Sequence, residues 1–87
     1  MRHIFITPQF KKDMRKLPKK VIAKADRLLS ILSSDPKDSQ IDTRKLNKIR
    51  AKAWRVKVGR YRIIYSFDKT SLTLHRFRHR KDVYKNL

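Results

Sequence analysis

Two stretches of this sequence bring cationic and titratable side chains together at short spacing. In the first, Arg55, Lys57, Arg60 and Arg62 are interleaved with Trp54, Val56, Val58, Tyr61 and Ile63. The second runs His75-Arg76-Phe77-Arg78-His79-Arg80-Lys81-Asp82-Val83-Tyr84 and sets imidazole, guanidinium and phenol close to one another. Among the three histidines, His79 is the better candidate for chemistry, because it stands beside Arg80 and four to five residues from Tyr84 where a strand ends. His3 and His75 read as structural or incidental. What the sequence lacks narrows the chemistry further. It has no glutamate, and Asp68 and Asp82 stand isolated in the basic half, which disfavours two-carboxylate acid–base work and carboxylate-held Mg²⁺. A single glycine leaves no phosphate-binding loop, and the absence of cysteine excludes disulfides and thiolate metal sites. What remains is metal-free RNA chemistry, in which a ribose 2′-hydroxyl attacks its neighbouring phosphate. That reaction needs cations against the crowded phosphorane, a proton acceptor and a proton donor. Arginine suits the first role because its planar fork matches phosphate oxygens.

The charge balance agrees with a polyanionic partner. Lysine and arginine number 25 against 7 acidic residues, a formal net charge of +18. The excess is uneven: residues 1–42 hold 10 basic and 5 acidic residues, residues 43–87 hold 15 and 2. Such a field repels itself and draws polyanions, of which nucleic acid is the default. A disordered basic tail would lack the aromatic and β-branched residues at Trp54, Tyr61, Ile63, Ile64, Tyr65 and Phe67. At 87 residues the chain reads as one domain, 1–87, with a thin core. No run approaches a membrane span and no signal-peptide core is present, so a soluble cytoplasmic protein without membrane contact is expected.

The elements that must position these side chains follow from periodicity. His3-Ile4-Phe5-Ile6 reads as a first strand, and Thr7-Pro8 as the N-cap and first position of a helix. Phe10, Met14 and Leu17 make one helical stripe, and Pro18 ends that helix near Lys16 or Leu17. A second helix is expected from Lys19 to Ser33, with Val21, Ala25, Leu28, Leu29 and Leu32 inward. Residues 33 to 43 read as a loop, after which Leu46 and Ile49 anchor the chain to the core. From Ala53 the period is two. Gly59-Arg60 is a two-residue hairpin connection with glycine first, as a type II′ turn requires. Asp68 to Ser71 is the next turn, and Leu72 to Arg78 a further strand. The apolar phase slips between Leu74 and Phe77, which predicts a bulge or burial on both sides.

The hairpin fixes its own register. Val58 should face Tyr61, Val56 face Ile63 and Trp54 face Tyr65, giving one apolar side for the helices to cover. The other side then pairs Lys57 with Arg62 and Arg55 with Ile64. Two cations directly opposite each other are destabilising, and a structural sheet would place glutamate or threonine across from Lys57. A local rule broken without compensation points to function, and a phosphate would supply the compensation.

Trp54-Arg55-Val56-Lys57-Val58-Gly59-Arg60-Tyr61-Arg62-Ile63-Ile64-Tyr65, with His79-Arg80-Lys81-Asp82-Val83-Tyr84, resembles the RelE-type toxins of bacterial and archaeal toxin–antitoxin pairs. Phe10, Lys16-Leu17-Pro18, Asp35-Pro36 and Lys45-Leu46 extend the resemblance over nearly the whole chain. It implies an α+β fold, two N-terminal helices on a mostly antiparallel four-stranded sheet, with a short C-terminal helix or tail. It also implies an endoribonuclease that cuts mRNA on the ribosome, uses no cofactor, and is silenced by a cognate antitoxin in a hetero-oligomer. Carried onto this sequence, the catalytic set is Lys57, Arg62, His79, Arg80 and Tyr84. Lys52, Arg55, Arg60, Arg78 and Lys81 would bind RNA. Lys57 is preferred to Arg55 for the base-like role because a guanidinium is a poor proton acceptor. His79 is preferred as acid, with Arg80 as the phosphate clamp and Tyr84 against the base. Two other functions remain open: a ParE-like toxin of the same fold that poisons DNA gyrase, and a passive basic RNA-binding module.

Overall fold

Thr7 begins the helical layer in the way its residue type requires. Its hydroxyl accepts the backbone N–H of Phe10 at 3.3 Å and donates to the Leu74 carbonyl at 2.9 Å, so one residue caps a helix and ties it to the sheet. The structure is a computed structural model and describes residues 1–38, 40–46 and 52–83. Its elements are β1 (His3–Ile6), α1 (Pro8–Arg15), α2 (Lys19–Ser34), β2 (Thr43–Leu46), β3 (Ala53–Val58), β4 (Tyr61–Phe67) and β5 (Ser71–His79). None of the described helices is long and apolar enough to cross a membrane. The expected loop is shorter than the sequence suggested, because α2 extends through Ser34 and a strand begins at Thr43.

The sheet has five strands in the order β1-β5-β4-β3-β2, with β1 parallel to β5 and every other neighbour antiparallel. The α+β class is as expected, but the strand number of four is corrected to five. The added strand, β2, is Thr-Arg-Lys-Leu on an edge and lacks the apolar alternation that marks a buried strand. The β3–β4 register matches the arithmetic of the hairpin at all five pairs, from Val58 opposite Tyr61 to Trp54 opposite Tyr65. Gly59 has φ +61°, the left-handed value that primed hairpin turns require.

The phase slip in β5 is a bulge. Ile64 stands opposite Arg76 and Tyr65 opposite Leu74, which leaves His75 without an opposite residue. Leu74 and Phe77 therefore face the same side although they stand three positions apart. That side carries the main core, where Phe10, Ala25 and Leu32 of the helices meet Val56, Ile63, Tyr65, Leu72, Leu74 and Phe77. The fully buried Tyr65 keeps its phenol satisfied by donating to the Pro36 carbonyl at 2.6 Å. A smaller cluster of Ala53, Ile64 and Val83, with Leu46 against it, lies on the opposite side. Ile49, expected as the second anchor, lies outside the described residues.

Candidate functional site

The side of the sheet turned away from the helices carries two transverse rows of residues. Lys57 stands opposite Arg62 and Arg62 opposite Arg78, so three cations from three neighbouring strands lie in one line. The next row is Arg44, Arg55, Ile64 and Arg76, from β2 to β5, although the Arg76 side chain reaches round the edge of β5 to Asp13 of α1. Like charges at directly paired positions each cost up to about 1 kcal/mol, so the first row has no structural purpose of its own. Strand alternation produces it from the sequence: the inward Val56, Val58, Tyr61, Ile63 and Phe77 force Lys57, Arg62 and Arg78 outward together.

The basic side is only partly neutralised. Asp42, just before β2, places one carboxylate oxygen 3.0 Å from Arg55 and the other 3.1 Å from Lys57. Those two bonds, to Lys57 first and Arg55 second, hold the Asp42 carboxyl below its ordinary value. Arg55 is thereby buried, with its side chain 8% exposed, and also donates to the Asp42 carbonyl at 3.0 Å. It supports the site from beneath and does not present its guanidinium to solvent as the sequence suggested. Arg62 donates from Nη1 to the carbonyls of Gly59 and Tyr61, each at 2.8 Å, so its resting position is curled over the hairpin turn. Arg60, at the turn, and Lys52, before β3, are exposed.

The C-terminal candidates separate. His79 pairs with Tyr61 across the ladder, and their rings meet edge to face at 5.5 Å. Tyr61 belongs to the helix-side core, so His79 lies on that side, away from Lys57 and Arg62. It lines a cavity of about 230 Å³ with Lys16, Leu17, Tyr61, Arg76 and Arg78, at the edge of β5. Arg80 continues the ladder by donating its backbone N–H to the Arg60 carbonyl at 2.9 Å. It lies in the turn that follows β5 and is exposed. Lys81 is exposed, and its backbone N–H donates to His79 Nδ1 at 3.2 Å. Tyr84 lies outside the described residues.

Two features were not foreseen. Asp42 belongs to a stretch that reads as loop, and only the unexpected strand β2 brings it beside Lys57. His75, read as incidental, stands at the bulge with Nε2 2.7 Å from Ser66 Oγ. Burial lowers its imidazole below the ordinary histidine value, which favours the neutral ring. The slip between Leu74 and Phe77 was the available signal for this residue, since a bulge turns two successive side chains to one side.

A family model described as the ParE toxin of the type II toxin–antitoxin system parDE matches residues 4–84. Among solved structures, the chain is similar to an archaeal RelE–RelB complex from Pyrococcus horikoshii OT3. The identity is 23%, the TM-score 0.77, and the match covers 94% of this chain and 98% of that one. The E. coli DinJ–YafQ toxin–antitoxin complex is similar at 17% identity and TM-score 0.80, over 95% of this chain and 97% of that one. The YoeB dimer from Staphylococcus aureus is similar at 18% identity and TM-score 0.75, over 90% and 95%. At such identities the likeness speaks for the fold alone. No curated protein matches the sequence.

Proposed function

Because the chain belongs to the ParE toxin family of type II toxin–antitoxin systems, within the RelE/ParE superfamily, we propose that it acts as a metal-independent endoribonuclease on ribosome-bound mRNA, held in check by an antitoxin. One observation carries this reading. The row of Lys57, Arg62 and Arg78 sets three cations side by side where a structural sheet would avoid them. Asp42 offsets Lys57, an RNA phosphate supplies the negative charge that Arg62 and Arg78 still lack, and a phosphorane, with more charge, is held more tightly than the ground state.

The reaction balances within the RNA. The 2′ oxygen bonds to phosphorus, the bond from phosphorus to the 5′ oxygen breaks, the 2′-hydroxyl loses a proton and the departing 5′ oxygen gains one. A 2′,3′-cyclic phosphate and a 5′-hydroxyl result. In this scheme Arg62 grips the phosphorane, Lys57 stands by the 2′-hydroxyl, and Arg55 with Asp42 holds Lys57 in place. The acid role is given to Arg80 in place of His79, because His79 shares the helix side with Tyr61 whereas Arg80 is exposed in the turn after β5. Tyr84 keeps its proposed contact with a base. Asp42, the carboxylate beside Lys57, already bridges two cations.

The test is a cell-free translation reaction with the cleaved ends mapped. Wild-type protein is expected to leave cyclic phosphate ends, and Arg62→Ala to slow cutting about 100-fold or more while folding normally. Equal cutting by the variant would remove the assignment.

The match to a ParE model favours a second reading, a toxin that poisons DNA gyrase without cutting RNA. Loss of gyrase supercoiling with intact mRNA would establish it in place of the first. A passive RNA-binding module would show itself as a change of affinity alone in Arg62→Ala.

A further inference from the structure

On α2, Lys20, Lys24 and Arg27 follow one another at i, i+4 and i+7, and all three are exposed. That spacing stacks them in one stripe, where like charges destabilise a helix by a few tenths of a kcal/mol per pair. The only acidic residue of α2, Asp26, lies well off that stripe. Among the described residues none of the three is in an ion pair, so this is a second line of like charges, on the helical layer.

The stripe borders a groove. Where α2 passes the tip of the β3–β4 hairpin, two cavities of about 260 and 330 Å³ share Lys24, Val58 and Gly59 as walls. Arg27 and Lys57 line the first cavity, and Lys20, Arg60 and Tyr61 the second. The groove thus has cations on both banks and an apolar floor. The two cavities adjoin, the first reaching Lys57 of the cationic row and the second Arg60 at the turn.

We propose that this groove holds the ribose–phosphate backbone of single-stranded RNA flanking the segment on the sheet. The inference rests on the RNA reading of the sheet face. From Lys20 to Arg27 the helix advances about 10 Å at 1.5 Å per residue. That length suits about three nucleotides at the ~3.4 Å rise of a stacked strand. Val58 and Tyr61 offer apolar surface to the sugars. Continuity with Lys57 favours RNA over an acidic protein segment, because a strand leaving the cationic row enters this groove first.

The experiment compares K20Q/K24Q/R27Q with K11Q/K12Q/R15Q, which removes the same formal charge from exposed positions of α1 away from the groove. Binding of labelled single-stranded RNAs of about 3 and about 12 nucleotides is followed by anisotropy between about 50 and 300 mM salt. For the longer RNA, losing three phosphate contacts should make the plot of log affinity against log salt shallower by about two. The short RNA, which reaches only the sheet, should be unaffected, and the α1 variant should change the slope by well under half as much. Equal effects of the two variants, or an unchanged slope in the α2 variant, would overturn the groove. So would a variant that loses only its binding to poly-glutamate, which would assign the stripe to an acidic protein. Wild-type protein that shows the expected slopes but cuts no translated mRNA would remove the cleavage reading and leave the groove standing.

Discussion

Asp13 shows how a single carboxylate fastens a helix to a strand. It accepts from Arg76 at 2.9 and 3.1 Å and from the backbone N–H of Phe77 at 2.9 Å, on the stretch of β5 that lies beyond its pairing with β1. Breaking a largely buried pair strands the remaining charge, so Asp13→Ala should lower unfolding free energy by about 3 kcal/mol in urea titrations. His75 is tied to pH instead. Its folded value lies below the ordinary 6.5, so below that pH the unfolded chain binds more protons than the folded one. The stability it contributes is complete above about pH 6.5 and declines as the pH falls through the lower folded value. Thermal midpoints should therefore drop as the pH falls below about 6.5, and His75→Gln should flatten that slope; an equally steep slope in the variant would assign it elsewhere. Asp42 competes with phosphate for Lys57 and Arg55. Asp42→Asn is expected to tighten RNA binding and steepen its salt dependence by about 0.7 to 1.4, one or two counterions' worth.

At the scale of elements, the β3–β4 hairpin depends on Gly59, whose φ of +61° is strained for any residue with a Cβ even though open space surrounds it. Gly59→Ala should cost about 1 kcal/mol by the same urea measurement, and Gly59→Asn less, since asparagine tolerates the left-handed region. This hairpin was fully legible in the sequence, because a two-residue turn and strict alternation leave one register. The helices were legible too, with Thr7, Pro8 and Pro18 marking boundaries that side-chain chemistry dictates. β2 was not. An edge strand paired on one side buries little, so Thr43-Arg44-Lys45-Leu46 carries no alternating pattern to read. Missing it hid Asp42, whose place beside Lys57 exists only through that pairing. His79 was legible in principle: it follows the inward Phe77 by two and so shares its side, but the nearby bulge obscured the phase. The cationic row needed a third strand, and Arg78 joined it only once the register past the bulge was known.

The whole molecule carries +18 within a radius of gyration of 11.8 Å, with cations on the sheet, the hairpin tip and the helices. Three ion pairs are seen among the described residues, so self-repulsion acts against the compact state. Raising salt from about 10 to 500 mM shortens the screening length severalfold and should raise the thermal midpoint by several degrees. A midpoint that falls or stays level over that range would show that specific pairs outweigh the general repulsion. An acidic antitoxin would relieve the same repulsion by binding the folded form alone. The parallel pairing of β1 with β5 adds a constraint in time. His3 pairs with Ser71, and Ile6 with Leu74, so the earliest strand to be synthesised waits for the latest before its edge is sealed. A ribosome adding about 5 to 20 residues per second exposes that open edge for several seconds. Nascent chains cut short before β5 should never close the sheet, and a fragment of residues 1–70 should show no cooperative unfolding. If the protein does cut messages under translation, its own message among them, the fragments it releases are unfolded chains and not partial toxins.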